Sequence, residues 1–381
     1  MSGLIVHDWL EERGGAEVVV DAMLDAFPGA ELFALWDDAG ERFSARTTVH
    51  QSWLAGTPLR RHKAAALPFM PMVWRGVRVE DAPDWMLVSS NAFAHQARLR
   101  THRGIPKYVY THSPARYVWD PALDQRSTSR IVQAVRPAFR AMDRAAVDRS
   151  ASFAANSEFV RERMLRAWNV QSRVIHPPVP VESIQRIGVW AESLSEPDRT
   201  RLDALPADFL LGVSRFVPYK RLDAVLEIGA AEGLPVVIAG AGPDEARLRA
   251  LAADLGVSAD FVIAPSTPLL RALYQRALAL LFLSVEDFGI VPVEAMAAGA
   301  AVIVNCIGGA AETVEDGVSG AHVTPDDRSQ IREVLDRLTR SDVGVRAAQR
   351  ARSFGHGNFV QQMHDWVGAS DTAGRGSGSC G

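Results

Sequence analysis

The sequence predicts an α/β protein of two domains, each built on a parallel β-sheet. Short apolar, β-rich runs alternate with longer stretches of helical periodicity almost from end to end, which is the pattern of repeated βαβ units. Those runs are numerous enough for two sheets. The length of 381 residues exceeds what one ordinary core organises and suits two domains of roughly 150 to 200 residues. With 48% hydrophobic and 23% charged residues, the chain can build a sizeable core throughout.

The strands expected in the first half lie at 4–6, 31–35, 85–88, 107–110 and 152–155, and those of the second half at 209–213, 235–239, 260–263, 279–283 and 301–304. Between them Pro177, Pro178, Pro180 and Pro197 interrupt a stretch poor in long apolar runs. It reads as a hinge and divides the chain into domains 1–180 and 181–350. A last amphipathic pattern at 354–367 is expected to be helical, and the Gly- and Ser-containing segment 370–381 to be a flexible tail.

Composition excludes several classes. A formal charge of −4 argues against nucleic acid as the main partner, which would call for a strongly basic balance. Only Cys306 and Cys380 are present, so no disulfide framework is expected and a reducing compartment fits. No uncharged apolar run reaches about 18 residues, and neither a signal peptide nor a membrane span is expected, which points to the cytoplasm. One segment stands apart: Arg60, Arg61, Lys63, Arg75 and Arg78 are interspersed with Leu67, Phe69, Met70, Met72, Val73 and Trp74. That mixture suits either an ordinary loop and helix face or peripheral contact with the inner face of a membrane through 60–78.

The strongest chemical signal is the run 284–299. A strand ending at Leu283 puts Glu286 just beyond its carboxyl end, where open α/β sheets bind ligands. Pro292 suits a first helical position, Glu294 would then fall in the first turn, and Gly299 supplies a left-handed stop. Backbone amides of Phe288, Gly289 and Ile290 would face the same crevice as a helix N-terminus able to hold an anion. Each acid alone has a plainer reading, Glu294 as a helix-dipole partner and Glu286 as a solvated loop acid. A second anion site is expected after strand 209–213, where Ser214, Arg215 and Lys220 precede a helix starting near Leu222. An Arg fork beside a Lys point charge suits a diphosphate; a solvated basic turn is the alternative. Gly14 and Gly15, at the first strand-to-helix turn, permit close approach of a phosphate to the backbone, although a bare Gly-Gly also serves as a simple turn. His112 follows the strand 107–110, and a neutral imidazole there can bond a sugar hydroxyl or be structural. Gly240, Gly242, Gly308 and Gly309 read as turns. No metal-ligand spacing, Gly-x-Ser-x-Gly elbow or Walker-type loop occurs.

In this order the motifs resemble the family 4 retaining glycosyltransferases. They are Glu-x7-Glu at Glu286 to Glu294, Ser-Arg-x-x-Pro-Tyr-Lys-Arg at Ser214 to Arg221, and Gly-Gly-Ala-Glu from Gly14. The segments Tyr110 to Tyr117 and Ala155 to Ser157 resemble the bacterial mannosyltransferases of that family that build surface polysaccharides. The resemblance implies the GT-B fold, two facing Rossmann-like domains with an interdomain cleft, the first completed by the C-terminal helix. It implies that Arg215 and Lys220 hold the donor diphosphate, that Glu286 and the amides of Phe288, Gly289 and Ile290 hold the transferred sugar, and that Glu294 binds the ribose. His112 would contact the sugar, and Gly14 and Gly15 would close over the phosphates. His112, Glu286, Arg215 and Lys220 form the expected catalytic set. The expected reaction moves a hexose from a nucleotide-diphosphate sugar to a hydroxyl of a glycan, lipid-linked or small-molecule acceptor with retention. GDP-mannose is the favoured donor and UDP-hexoses come next; no cofactor or metal is expected. The alternatives are a catalytically inert nucleotide-sugar-binding partner subunit and a nucleotide-sugar epimerase. Against a nicotinamide-dependent enzyme stands the missing Gly-x-Gly-x-x-Gly after the first strand. The acceptor and the oligomeric state are not legible.

Overall fold

Strands of parallel sheets are buried on both faces, which is why they read as continuous apolar runs rather than alternating ones. The computed structural model describes residues 2–12, 14–102, 104–120, 130–338 and 342–375. The chain divides into two compact units, Met1–Pro178 with Gly357–Gly381, and Val179–His356.

In the first unit the strands Gly3–His7 (β1), Ala30–Ala34 (β2), Val49–Gln51 (β3), Trp85–Ser90 (β4), Lys107–Thr111 (β5), Ser152–Ala155 (β6) and Arg173–Val174 (β7) form a seven-stranded sheet. It is parallel, in the order β3-β2-β1-β4-β5-β6-β7. Leu4 and Val6 point into one apolar layer with Trp36, Trp74 and Trp168, while Ile5 points into the other with Val19, Met23 and Trp366. In the second unit Leu210–Val213 (β8), Val236–Gly240 (β9), Ala259–Ile263 (β10), Ala279–Phe282 (β11), Val302–Asn305 (β12) and Ala321–Val323 (β13) form a six-stranded parallel sheet, ordered β10-β9-β8-β11-β12-β13. Val237 and Ala239 face one core and Val236 and Ile238 the other. Both units are therefore Rossmann-like: the first strand lies between the second and the fourth, and winding reverses beside it.

All the strands expected from the sequence are present within a residue or two. Those not expected, β3, β7 and β13, lie at sheet edges. An edge strand needs no continuous apolar run, and these are short and partly polar, with His50, Gln51 and Arg173 among them. A further two-residue ladder joins Leu10–Glu11 to Asp37–Asp38.

Two expectations are corrected. The last helix does not start at Phe354, which closes the 3-10 turn Arg352–Phe354 and packs in the second unit, where its carbonyl accepts from Val179 N at 2.9 Å. Nor is the stretch after 370 all tail: helix His356–Arg375 continues through its first part, and 376–381 lie outside the described residues. The glycines that suggest a tail lie mostly beyond 375, whereas 370–375 holds only Gly374 and does not interrupt the helix. The helix is held in the first unit by Phe359, Met363 and Trp366, by a hydrogen bond from Trp366 Nε1 to Ser152 Oγ at 2.8 Å, and by one from Tyr108 OH to Val367 O at 2.8 Å. Of the segment 60–78, Met70, Val73 and Trp74 enter the core, while Phe69 and Met72 stay exposed. No helix of the described residues is long and apolar enough to cross a membrane.

Candidate functional site

In the second unit the reversal of winding falls between β8 and β11, and the acids and bases singled out in the sequence gather at the carboxyl ends of these strands. Beyond β8 the backbone stays tied to its neighbour through Ser214 N to Ala239 O (3.2 Å) and Phe216 N to Ala241 O (2.8 Å). With Phe216 buried as an anchor, the chain enters the 3-10 turn Pro218–Lys220, crosses Arg221 at φ 54° and starts helix Leu222–Glu232. This turn delivers Lys220 to Glu286: Nζ lies 2.6 Å from Oε1, both side chains mostly shielded at 14% and 12% exposure. Partial burial strengthens such a charge-assisted bond over a surface pair. Arg215 is exposed, its Nη2 donating to Tyr219 OH at 3.0 Å.

Glu286 opens the loop that leads from β11 into helix Ile290–Ala297. The helix begins two residues earlier than the proline suggested, because Gly289 serves as N-cap and its carbonyl accepts from Val293 N at 3.1 Å. Pro292 is tolerated there since the first turn leaves its amides without intrahelical partners anyway. Glu294 consequently sits in the second turn, not the first. Its carboxylate takes a hydrogen bond at 2.7 Å from Nη2 of Arg271, on helix Thr267–Arg276. Burial alone would lower the Arg271 pKa, but the hydrogen bond and charge of Glu294 outweigh it and raise the value. Among the described residues, Arg271 Nε and Nη1 are buried without a hydrogen-bond partner.

Both loops rest on glycines. A Cβ at Gly309 would lie 2.5 Å from the Asp287 carbonyl carbon and 3.0 Å from Phe288 Cα, and Gly309 N donates to Glu286 O at 2.7 Å. Gly240, at φ 142°, and Gly242, at φ 157°, similarly let the backbone press on Ser214 and Phe216. These glycines read as turns in the sequence; the structure adds that they carry the two loops. Phe288 is fixed from the other side by Phe354, ring centroids 5.8 Å apart.

The first unit has its own polar cluster where β1 meets β4. His7 and Ser89 are register partners, and His7 Nδ1 is 3.0 Å from both the carbonyl oxygen and Oγ of Ser89. Ser89 Oγ is in turn 2.8 Å from Nε2 of His112, just past β5. Burial, reinforced by the neighbouring His7, pushes the His112 imidazole down to about 3, so it is neutral at physiological pH. Next to His7, the buried Asp8 carboxylate accepts from the amides of Asn91, Ala92, Phe93 and Ala94 at 2.7 to 3.0 Å, fixing the loop after β4. Gly14 and Gly15 precede and open helix Gly15–Ala26. The buried Glu17 carboxylate folds back against Gly14, where a Cβ would meet it, and accepts from Glu11 N at 3.2 Å. An internal anion thus already faces this helix start.

The structure brings together Lys220 and Glu286, with Glu294 on the helix that follows and Arg215 on the exposed side of the loop; His112, Gly14 and Gly15 belong to the other unit. Sequence reasoning missed Arg271, His7, Ser89 and Asp8. Arg271 had a signal, a charge inside the apolar stripe of Leu269, Ala272 and Leu273. The strand-end positions of His7, Asp8 and Ser89 were another, since ligand crevices form there.

Residues 13–183 match the family Glycosyltransferase Family 4, and residues 201–354 match Glycosyl transferases group 1. The D-inositol 3-phosphate glycosyltransferase of Mycobacterium marinum is 32% identical over 200 residues, 49% of this chain and 41% of that protein. The protein of the same name from Frankia alni is 35% identical over 205 residues, 48% of this chain and 49% of its own length. The match therefore spans less than half of these relatives. Among solved structures, sucrose-phosphate synthase from Thermosynechococcus elongatus superposes with a TM-score of 0.71 at 18% identity, covering 98% of this chain and 100% of that one. Anabaena HepE in complex with UDP superposes with a TM-score of 0.68 at 18% identity, covering 97% and 100%. At such identities the likeness is one of fold.

Proposed function

We propose, from the premise that the two halves of this chain are glycosyltransferase domains in a GT-B fold, that the protein moves a hexose from a nucleotide-diphosphate sugar to an acceptor hydroxyl with retention of anomeric configuration. The observation that carries this reading is the Lys220–Glu286 pair at the winding reversal of the second unit, with Arg215 on the same loop and Glu294 on the next helix. A cation that already holds a carboxylate can exchange it for a diphosphate oxygen and leave the carboxylate to take a sugar hydroxyl. In this proposal Arg215 and Lys220 bind the diphosphate, Glu286 and the amides of Phe288, Gly289 and Ile290 hold the sugar, and Glu294, oriented by Arg271, takes the ribose hydroxyls. Ser214 lines the phosphates.

In the proposed front-face transfer, the bond from the anomeric carbon to the leaving phosphate oxygen breaks while the acceptor oxygen bonds to the same face. The leaving oxygen takes the acceptor proton. Arg215 and Lys220 stabilise the negative charge that grows there, an effect commonly worth a few kcal/mol per well-placed donor. This charge compensation is supplied by the chain itself, without a cofactor.

GDP-mannose is the donor proposed first, on the likeness of Tyr110 to Tyr117 and Ala155 to Ser157 to mannosyltransferases. UDP-glucose, bound in a structure of HepE, is the comparison. The relatives' name makes an inositol phosphate the first small acceptor to try. For a lipid-linked acceptor, the exposed Phe69 and Met72 amid Arg60, Arg61, Arg75 and Arg78 would give peripheral membrane contact.

Incubating the protein with each donor and measuring nucleoside diphosphate release, then the anomeric configuration of the product by NMR, tests the reading. Release from one donor names it. Tight binding with no release from any donor, with or without acceptors, would replace this reading with an inert nucleotide-sugar-binding subunit.

A further inference from the structure

The cluster of His7, Ser89 and His112 fixes which nitrogen of His112 carries the proton. His7 Nδ1 lies 3.0 Å from the Ser89 carbonyl oxygen, and a carbonyl can only accept, so Nδ1 of His7 must be the protonated nitrogen. An unprotonated Nδ1 would set two lone pairs against each other. The same N–H also points to Ser89 Oγ at 3.0 Å, so this hydroxyl cannot donate to His7. Ser89 is fully buried, and a buried hydroxyl left without an acceptor costs about 1 to 3 kcal/mol. Among the described residues its one other partner is His112 Nε2, at 2.8 Å. The hydroxyl therefore donates to Nε2, and Nε2 is the bare nitrogen.

We propose that His7 and Ser89 are positioning residues that lock His112 in its Nδ1–H form, so that it presents a fixed hydrogen-bond donor to an oxygen of the sugar substrate. The ligand chemistry this selects is an acceptor oxygen, of a hydroxyl or a phosphoryl group. His112 is partly exposed, and its Nδ1 has no partner among the described residues. Its backbone is pinned by His112 N to Ser90 O at 2.9 Å, and Tyr110 packs edge-on against the ring at 5.2 Å. The low basicity caused by burial and by His7 keeps the ring in the neutral state for which a tautomer is defined. The tautomer follows from hydrogen-bond geometry alone; its use on substrate rests on the glycosyltransferase reading above.

The test is long-range 1H–15N NMR on the full chain labelled at histidine, with His112 assigned by loss of its signals in His112→Asn. The expected wild-type spectrum has a protonated Nδ1 and a pyridine-type Nε2 for His112. Ser89→Ala should convert that pattern to a mixture of tautomers. His7→Asn, whose amide nitrogen can replace Nδ1–H, should preserve it, and His7→Phe should lose it. Should Ser89→Ala fail to fold, the two His7 variants carry the comparison. In parallel, kcat/KM for the active donor should fall about tenfold in Ser89→Ala and His7→Phe, mostly in kcat, with recovery in His7→Asn. An Nε2–H signal for His112 in the wild type, or a tautomer unmoved by both Ser89→Ala and His7→Phe, overturns the proposal. If no donor is turned over, the glycosyltransferase reading fails while the spectra still decide the tautomer.

Discussion

Replacing Gly309 by alanine should cripple donor turnover while leaving the protein folded. The added Cβ would stand 2.5 Å from the Asp287 carbonyl carbon, whereas carbon atoms prefer about 3.5 to 4.0 Å. The neighbour is backbone, with no flexible end to swing aside, so the 286–288 loop must retreat by about 1 Å. Overpacking of this kind costs about 1 to 3 kcal/mol of stability, which the second unit, with its two apolar layers, can absorb. The larger effect is on function: a misplacement of about 1 Å in a positioning element can cost about 100-fold in rate, and this loop carries Glu286 and leads into the amides proposed to hold the sugar. Steady-state donor hydrolysis gives kcat/KM, and scanning calorimetry gives the stability change. Gly188→Ala is the control, since Gly188 lies in the same unit with nothing within 4 Å of its added Cβ. Gly309→Ala that matches Gly188→Ala in kcat/KM would refute the claim that Gly309 sets the loop.

Lys220→Met should weaken nucleoside diphosphate binding about 10-fold to 100-fold, as expected from the loss of one charge-assisted hydrogen bond of about 1.5 to 3 kcal/mol, readable by titration calorimetry. Arg271→Leu removes one such bond and strands a mostly shielded Glu294. A destabilisation of about 2 to 4 kcal/mol is expected, and Arg271→Leu with Glu294→Gln should recover part of it in thermal unfolding. Trp366→Ala should cost about 3 to 5 kcal/mol, seen as a lowered Tm, because that ring is buried in the first unit and bonds Ser152. Lys107 is lowered from 10.5 to about 8 by burial, with Asp148 opposing and Arg98 assisting. Between these values the unfolded chain binds a proton that the folded chain lacks, so stability rises with pH across that window. Comparing the Tm of wild type and Lys107→Met at pH 7 and pH 10 should show the wild type gaining on the variant at the higher pH.

The sheet interiors were legible because central parallel strands must be apolar on both faces; β1, β4, β5, β8 and β9 announced themselves that way. Edge strands β3, β7 and β13 did not, since pairing on one side asks little of their side chains. The chemistry was legible where a run of residues is contiguous, as from Glu286 to Glu294 and from Ser214 to Arg221. It was not legible where partners come from distant strands. Nothing local to His7 or Ser89 says that 82 residues of chain separate two register partners. The helix start at Ile290 was misread because Pro292 signals a first turn without saying which of its positions it occupies, and only the Gly289 cap settles that.

The two winding reversals carry different chemistry, and the difference has a physical consequence. At the junction of β8 and β11 stand full charges, Lys220 and Arg215 against Glu286. At the junction of β1 and β4 the groups are a neutral His112 and a serine hydroxyl, and the Asp8 carboxylate beside them accepts from four amides. A diphosphate with its negative charge is stabilised by the first arrangement and gains little from the second. Neutral hydroxyl groups, by contrast, need fixed dipoles rather than charges, and a histidine whose pKa burial and His7 hold down at about 3 offers the same donor across the physiological range. Salt should therefore separate the two sites. Raising ionic strength weakens exposed charge pairing, so nucleoside diphosphate affinity should fall with salt, whereas the loss caused by Ser89→Ala should be the same at low and high salt. A salt-dependent Ser89→Ala defect, measured as the ratio of kcat/KM to wild type, would mean that the neutral cluster also acts on charge.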